Sequence, residues 1–301
     1  MPPKKRSYDD FLNQENNPPE IPAVEFTTVH MENILNRRAQ ENLAEHPLNA
    51  LLHENKATFE KLMQNGFELS RIMNILYGAG MNYQTAVHAL VQSADEMIAL
   101  KNNGIGVSTL CAALKAANSG IPTVLKQLVE EKGTLFELHK LNFEDQHISS
   151  LLMGSNTKVG ECLQHIRTNI SVFQELIRIG FLPKNLSGIF HNSGKNLPAA
   201  IIHIRMNMAV INRYLNLRFS PESISSMLYN KSNHFAEVFK TLNDNYSNFE
   251  SRILAQPNTH KRISHLLSKK NIQEFSQTVN HLATPDPETQ EAATILLTLK
   301  S

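Results

Sequence analysis

The amino-acid sequence predicts an all-α protein, a right-handed α-solenoid of tandem 38-residue units with about three short helices in each. The first observation behind this is self-similarity at a fixed step, the signature of repeat architectures. Stepping by 38 residues, the first position of each unit is Val29, Phe67, Ile105, Phe143, Phe181 and Phe219. The sixth is Ile34, Ile72, Leu110, Ile148, Leu186 and Ile224, and the twenty-fourth is Leu52, Leu90, Leu128, Ile166, Ile204 and Leu242. The thirty-first is Phe59, Met97, Leu135, Phe173, Ile211 and Phe249, so four columns run through six units without a polar residue. The second observation is helical spacing inside a unit, as in Ile224, Met227 and Leu228. The third is scarcity of turn formers: 12 Gly and 13 Pro in 301 residues suit short connections between helices.

Residues 1–28 are rich in Pro, Asn and acidic side chains, lack periodicity, and read as a flexible tail. Within each unit the first helix runs from about the third to the eleventh position. Its start is clearest in "SPES", where Ser220 caps and Pro221 occupies the first turn. The second helix carries pairs such as Val238 and Leu242. The third follows Asn55, Asn169, Asn207 or Asn245, with Ser93 at the same place in another unit, and these short acceptors are expected to be N-caps. An eroded seventh copy with a one-residue slip occupies 258–282, so the helical domain spans 29–284. "DPETQEAATILLTLK", within 285–301, reads as a capping helix with Asp286 and Pro287 at its start. Helices of about nine residues do not stand alone, and one unit cannot bury its own apolar stripe, so neighbours must stack.

No run of 18 apolar residues is present, and "MPPKKRSYDD" lacks the apolar core of a secretory signal. Cys111 and Cys162 fit no metal spacing and read as reduced, buried thiols of an intracellular protein. The net charge of +1 excludes a histone-like protein but not a local basic face. Unit 181–218 holds Lys184, Lys195, Arg205, Arg213 and Arg218 and no acid, whereas 29–66 has four basic against five acidic residues. No Gly-rich phosphate loop, HExxH or nucleophile elbow occurs, and His30, His88, His191 and His203 share no column. The expectation is a non-enzyme with no cofactor, no metal, no small-molecule substrate and no membrane span.

The breaks between first and second helices are small and polar: Gly78-Ala79-Gly80, Ala116-Ala117-Asn118-Ser119-Gly120, Gly154-Ser155-Asn156, Asn192-Ser193-Gly194-Lys195, Asn230-Lys231-Ser232-Asn233 and Lys269-Lys270-Asn271. As turns they need no further reason. A stack of units would also line them up on one face, where backbone N–H groups and lysines offer donors to phosphate.

On these residues, above all "FSPESISSMLYNKSNHFAEVFKTL", the sequence resembles the repeats of the transcription-activator-like effectors and their bacterial relatives. There a "LTPEQVVAIA" helix leads into a variable two-residue loop, a glycine pair and Lys-Gln. The resemblance covers the first two helices of each unit over 67–242; the unit here is a few residues longer, and the glycine pair and Lys-Gln are incomplete in every copy. It implies double-stranded DNA as partner. Ala79, Ala117, Ser155, Ser193 and Lys231 would then face bases, beside Gly78, Ala116, Gly154, Asn192 and Asn230. Gly194, Lys195, Asn196 and Lys158 would lie toward phosphates, and the lysines Lys269 and Lys270 add charge in the last copy. Lys4, Lys5 and Arg6 in "PPKKR" would form a nuclear localisation signal, as in a secreted bacterial effector acting on host transcription. Mitochondrial termination-factor repeats compete, although the N-terminus is not an Arg-rich transit peptide. Pumilio-type readers stack bases on a repeated side-chain column, and no aromatic or Arg column is evident. A HEAT-like scaffold that grips a protein partner, cytoplasmic and without nucleic acid, remains the alternative.

Overall fold

The computed structural model describes residues 24–37, 42–191, 193–255, 259–268 and 271–283. The expected cap at 285–301, the Lys4, Lys5 and Arg6 run, and Asn192, Lys269 and Lys270 lie outside them. Every regular element among the described residues is helical. The first helices are Thr28–Leu35, Leu69–Ile75, Val107–Leu114, Asp145–Leu152, Pro183–Ile189, Pro221–Leu228 and Thr259–Ser268. The second helices are Pro47–Glu54, Tyr83–Gln92, Ile121–Glu130, Val159–Thr168, Leu197–Met206, Phe235–Asp244 and Ile272–Ala283. The third are Lys56–Gln64, Ala94–Asn102, Lys132–Lys140, Ile170–Arg178, Met208–Asn216 and Tyr246–Ala255. Each first helix packs on the next first helix, and each second helix on the next second helix. The three columns at positions six, twenty-four and thirty-one are buried throughout, in one connected core. Each fully buried Phe or Leu there contributes about 1.5–3 kcal/mol.

The first column departs at its start. Phe67, Ile105, Phe143, Phe181 and Phe219 are buried, but Val29 is 58% exposed. Thr27 caps a first helix that starts three residues earlier in its unit than the others, accepting from His30 N, so Val29 is carried outward. Phe26 supplies the ring instead, edge-on to Phe59 at 5.4 Å, and Val24 is buried beside it. The flexible tail expected over 1–28 is therefore corrected at its end: residues 24–28 belong to the fold.

The junction asparagines also act differently from expectation. Asn55, Asn169 and Asn207 make no side-chain cap to the third helix. With Asn245 they point backward, each Nδ2 donating to the carbonyl four residues earlier, Leu51, His165, His203 and Thr241, at 2.8, 3.0, 2.8 and 2.9 Å. A single residue separates the two helices, and the last-turn carbonyls of the second helix are the orphans it can reach. Ser220 does cap as expected, accepting from Ser223 N at 3.1 Å, with Pro221 behind it.

Among the described residues, five third helices end in a Schellman closure that explains the first column. Gly66, Gly104, Asn142, Gly180 and Arg218 have φ of 85°, 91°, 63°, 104° and 67°. The next N–H, from Phe67, Ile105, Phe143, Phe181 or Phe219, returns to the carbonyl five residues back at 3.0–3.2 Å. That reversal drives the following aromatic or aliphatic side chain onto the helix it has just left. Arg218 holds a left-handed conformation that glycine takes without strain.

One cap crosses between units. Gly106 precedes the helix Val107–Leu114 and has no side chain to cap it. Asp145, which opens the next first helix, accepts from Ser108 N at 2.8 Å and Thr109 N at 3.0 Å. A Cβ on Gly106 would sit 2.1 Å from that carboxylate, so the neighbour's side chain fills the place of the missing one. Asp145→Ala is expected to cost about 1–2 kcal/mol. Gly106→Ser should be damaging alone but restore part of the loss in the Asp145→Ala background. Urea midpoints of the four chains test the exchange; additive losses would refute it.

Candidate nucleic-acid interface

Among the described residues, the break between first and second helices follows one backbone plan. Its twelfth position turns left-handed, with φ of 76° at Gly78, 58° at Ala116, 80° at Gly154 and 56° at Asn230. The thirteenth then folds back, its N–H bonding the carbonyl three residues earlier: Ala79 to Leu76, Ala117 to Leu114, Ser155 to Leu152, Ser193 to Phe190 and Lys231 to Leu228. One tight turn, such as Gly80–Asn82 or Gly194–Asn196, leads into the second helix.

This plan turns the thirteenth side chain inward. Ala79, Ala117, Ser155, Ser193 and Lys231 are 4%, 5%, 1%, 2% and 3% exposed, so the column expected to face bases does not reach the surface. Ser155 Oγ donates to Leu152 O at 2.7 Å, whereas Ser193 Oγ has no partner among the described residues. Lys231 Nζ lies 3.5 Å from Tyr229 O and 5.3 Å above the Phe275 ring. Exposure at the loop falls instead to the twelfth position, at Gly78, Gly154 and Asn230.

Burial pushes the Lys231 ammonium down from 10.5 to about 8. Below about pH 8 the charge is present in both folded and unfolded chains, and the full desolvation cost is felt. Between about 8 and 10.5 the folded form is neutral while the unfolded chain still binds the proton, so stability rises with pH across that window. Lys231→Met should stabilise the protein at pH 7 by about 1–3 kcal/mol and abolish the rise. Melting profiles at pH 7 and pH 10 check both statements.

The small residues serve the neighbouring loop. Gly78 N donates to Asn33 O at 3.0 Å and Ala116 N to Ile75 O at 3.1 Å. A Cβ on Gly194 would lie 2.4 Å from Gly154 O, and one on Gly120 would lie 2.8 Å from the Thr157 methyl. Asn196 Nδ2 donates to Asn233 Oδ1 of the next loop at 2.7 Å, and Cys162 Sγ to Gly194 O at 3.4 Å. Gly194 thus allows close approach of Gly154 rather than of a phosphate. Lys158 is exposed but pairs with Glu161 at 3.3 Å, which offsets its charge locally. The Lys195 side chain lies outside the described residues. Cys111 and Cys162 are free and buried, their thiols raised to about 12 and about 11 by burial.

A column that the apolar search passes over stands at position eleven, just ahead of five of the loops: Tyr77, Lys115, Met153, His191 and Tyr229. Lys115 Nζ rests 5.2 Å from the Tyr77 ring centroid, and the His191 and Tyr229 rings stack at 5.4 Å and 12°. Both contacts cross from one unit to the next. Burial lowers the basicity of the His191 imidazole. The signal lay in the same 38-residue step, but its chemistry is mixed, so a search for uniform columns misses it.

Fold and loops define a repeat-like, all-helical protein whose interhelical loops meet along one edge. Among the described residues no helix is long and apolar enough to cross a membrane. No family model, curated protein or solved structure matches the chain.

Proposed function

We propose that the chain is a right-handed α-solenoid of 38-residue units, a divergent relative of the transcription-activator-like effector repeats, that binds double-stranded DNA along its loop edge. The loop-to-loop contacts carry this reading: Gly154 against Gly194, and Asn196 bonded to Asn233, bring successive loops into one continuous margin. A margin of this kind can follow a phosphate backbone over several units. Charge favours the same reading, since unit 181–218 has five basic residues and no acid. Because the thirteenth column is buried, such binding would depend on backbone contact and duplex shape more than on one side chain per base. The protein would act by binding rather than catalysis, in the nucleus of a host cell, with Lys4, Lys5 and Arg6 as the address.

The protein-scaffold reading is favoured by one observation. Ile202 and Met206 are 38% and 73% exposed on the helix Leu197–Met206, an apolar strip suited to a partner chain. Salt separates the two. Titration of random duplex DNA at 50 and 200 mM salt should show affinity falling by about tenfold or more if phosphates are neutralised. Absence of binding at the lower salt would refute the DNA reading.

A further inference from the structure

Five side chains at the end of the first helices need an explanation that packing does not supply. Tyr77 and Tyr229 occupy the same position four units apart and are 39% and 46% exposed, too open for core residues. Lys115 lies over Tyr77 and His191 against Tyr229, so four of the five are held by contacts between units while remaining partly or largely open to solvent. Side chains already held in place lose less freedom when a ligand arrives. All five are neutral or basic, with no carboxylate in the column. Among the described residues no ion pair engages Lys115, in contrast to Lys158 with Glu161. Phenol, ammonium and imidazole are all donors to a phosphate oxygen.

Tyr77, Lys115, Met153 and Tyr229 directly precede the left-handed residue of their loops, so the column borders the same edge as the loop contacts. The residues two places further on are buried and cannot serve there. We propose that Tyr77, Lys115, Met153, His191 and Tyr229 form the surface that meets the DNA backbone, a contact made at position eleven while position thirteen stays buried. The inference rests on the DNA reading above and gives it a specific surface. A polyanion complements the column; an acidic protein tail is the competing occupant, and it would not reproduce a duplex titration.

The test uses the full chain and a fluorescein-labelled random duplex of about 30 base pairs, followed by anisotropy across a salt series. Lys115→Ala removes only one half-buried ammonium and should lower the slope of log affinity against log salt by about 0.9. Lys115→Glu with His191→Glu should weaken binding about tenfold or more, with the melting transition retained. Lys184→Glu, an exposed change elsewhere on a first helix, should weaken binding less than the column variant. If the parent binds and the column variants bind as tightly, the column is overturned while the DNA reading stands. If Lys184→Glu matches the column variant, general charge explains the loss and the column is again overturned. A parent that does not bind the duplex at low salt overturns both.

Discussion

Leu186→Asp is expected to unfold the centre of the molecule, with a loss of at least about 4 kcal/mol. Leu186 is fully buried between neighbouring first helices, in a column apolar at every unit. A carboxylate there gives up its hydration inside the connected apolar core. Its flanking polar groups are already engaged: Asn185 O accepts from Ser225 Oγ, and the Asn185 side chain accepts from Leu182 N. Because Pro183–Ile189 packs on the first helices of both adjacent units, the damage should spread to them rather than stay in one helix. Hydrogen exchange would then show joint loss of protection over 145–152, 183–189 and 221–228. Melting like the parent would show that the register of the stack is misassigned.

Gly194→Ala carries the second large effect, although it adds a single methyl. The new Cβ would lie 2.4 Å from the Gly154 carbonyl oxygen and 2.8 Å from its carbon. Backbone cannot rotate aside as a long side chain does, and φ of 51° adds strain for any residue with a Cβ. A loss of about 2–4 kcal/mol is expected, visible in the urea midpoint. Gly133→Ala offers the contrast, since nothing lies within 4 Å of the added carbon. That change should be neutral or slightly stabilising because alanine favours a helix. Equal losses at both glycines would mean that the two loops are not in contact.

Much of the fold was legible because the information sat in uniform columns. Positions six, twenty-four and thirty-one needed only one property, apolarity, and each remained buried throughout. Ser220 and Pro221 were legible because a start signal acts within three residues of itself. The junction asparagines were read in the wrong direction for a physical reason. With one residue between two helices, the same amide stands after one and before the other, and only geometry decides which end it serves. The thirteenth position was misjudged through its predecessor. Its polarity suggested solvent, but the left-handed turn at residue twelve swings it under the loop. Position eleven was visible in the same arithmetic and escaped because tyrosine, lysine, methionine and histidine share no single property.

Three kinds of joint set the length of a unit: one residue between second and third helices, a Schellman closure after the third, and a loop whose twelfth residue touches its neighbour. Each joint counts residues, so one inserted or deleted amino acid shifts the register of the next helix, which must then be taken up in a loop. In the proposed 38-residue solenoid, change is therefore expected to come as gain or loss of whole copies. One shift of a single residue is seen: the helix Ile272–Ala283 begins one residue ahead of the step of 38 from Phe235.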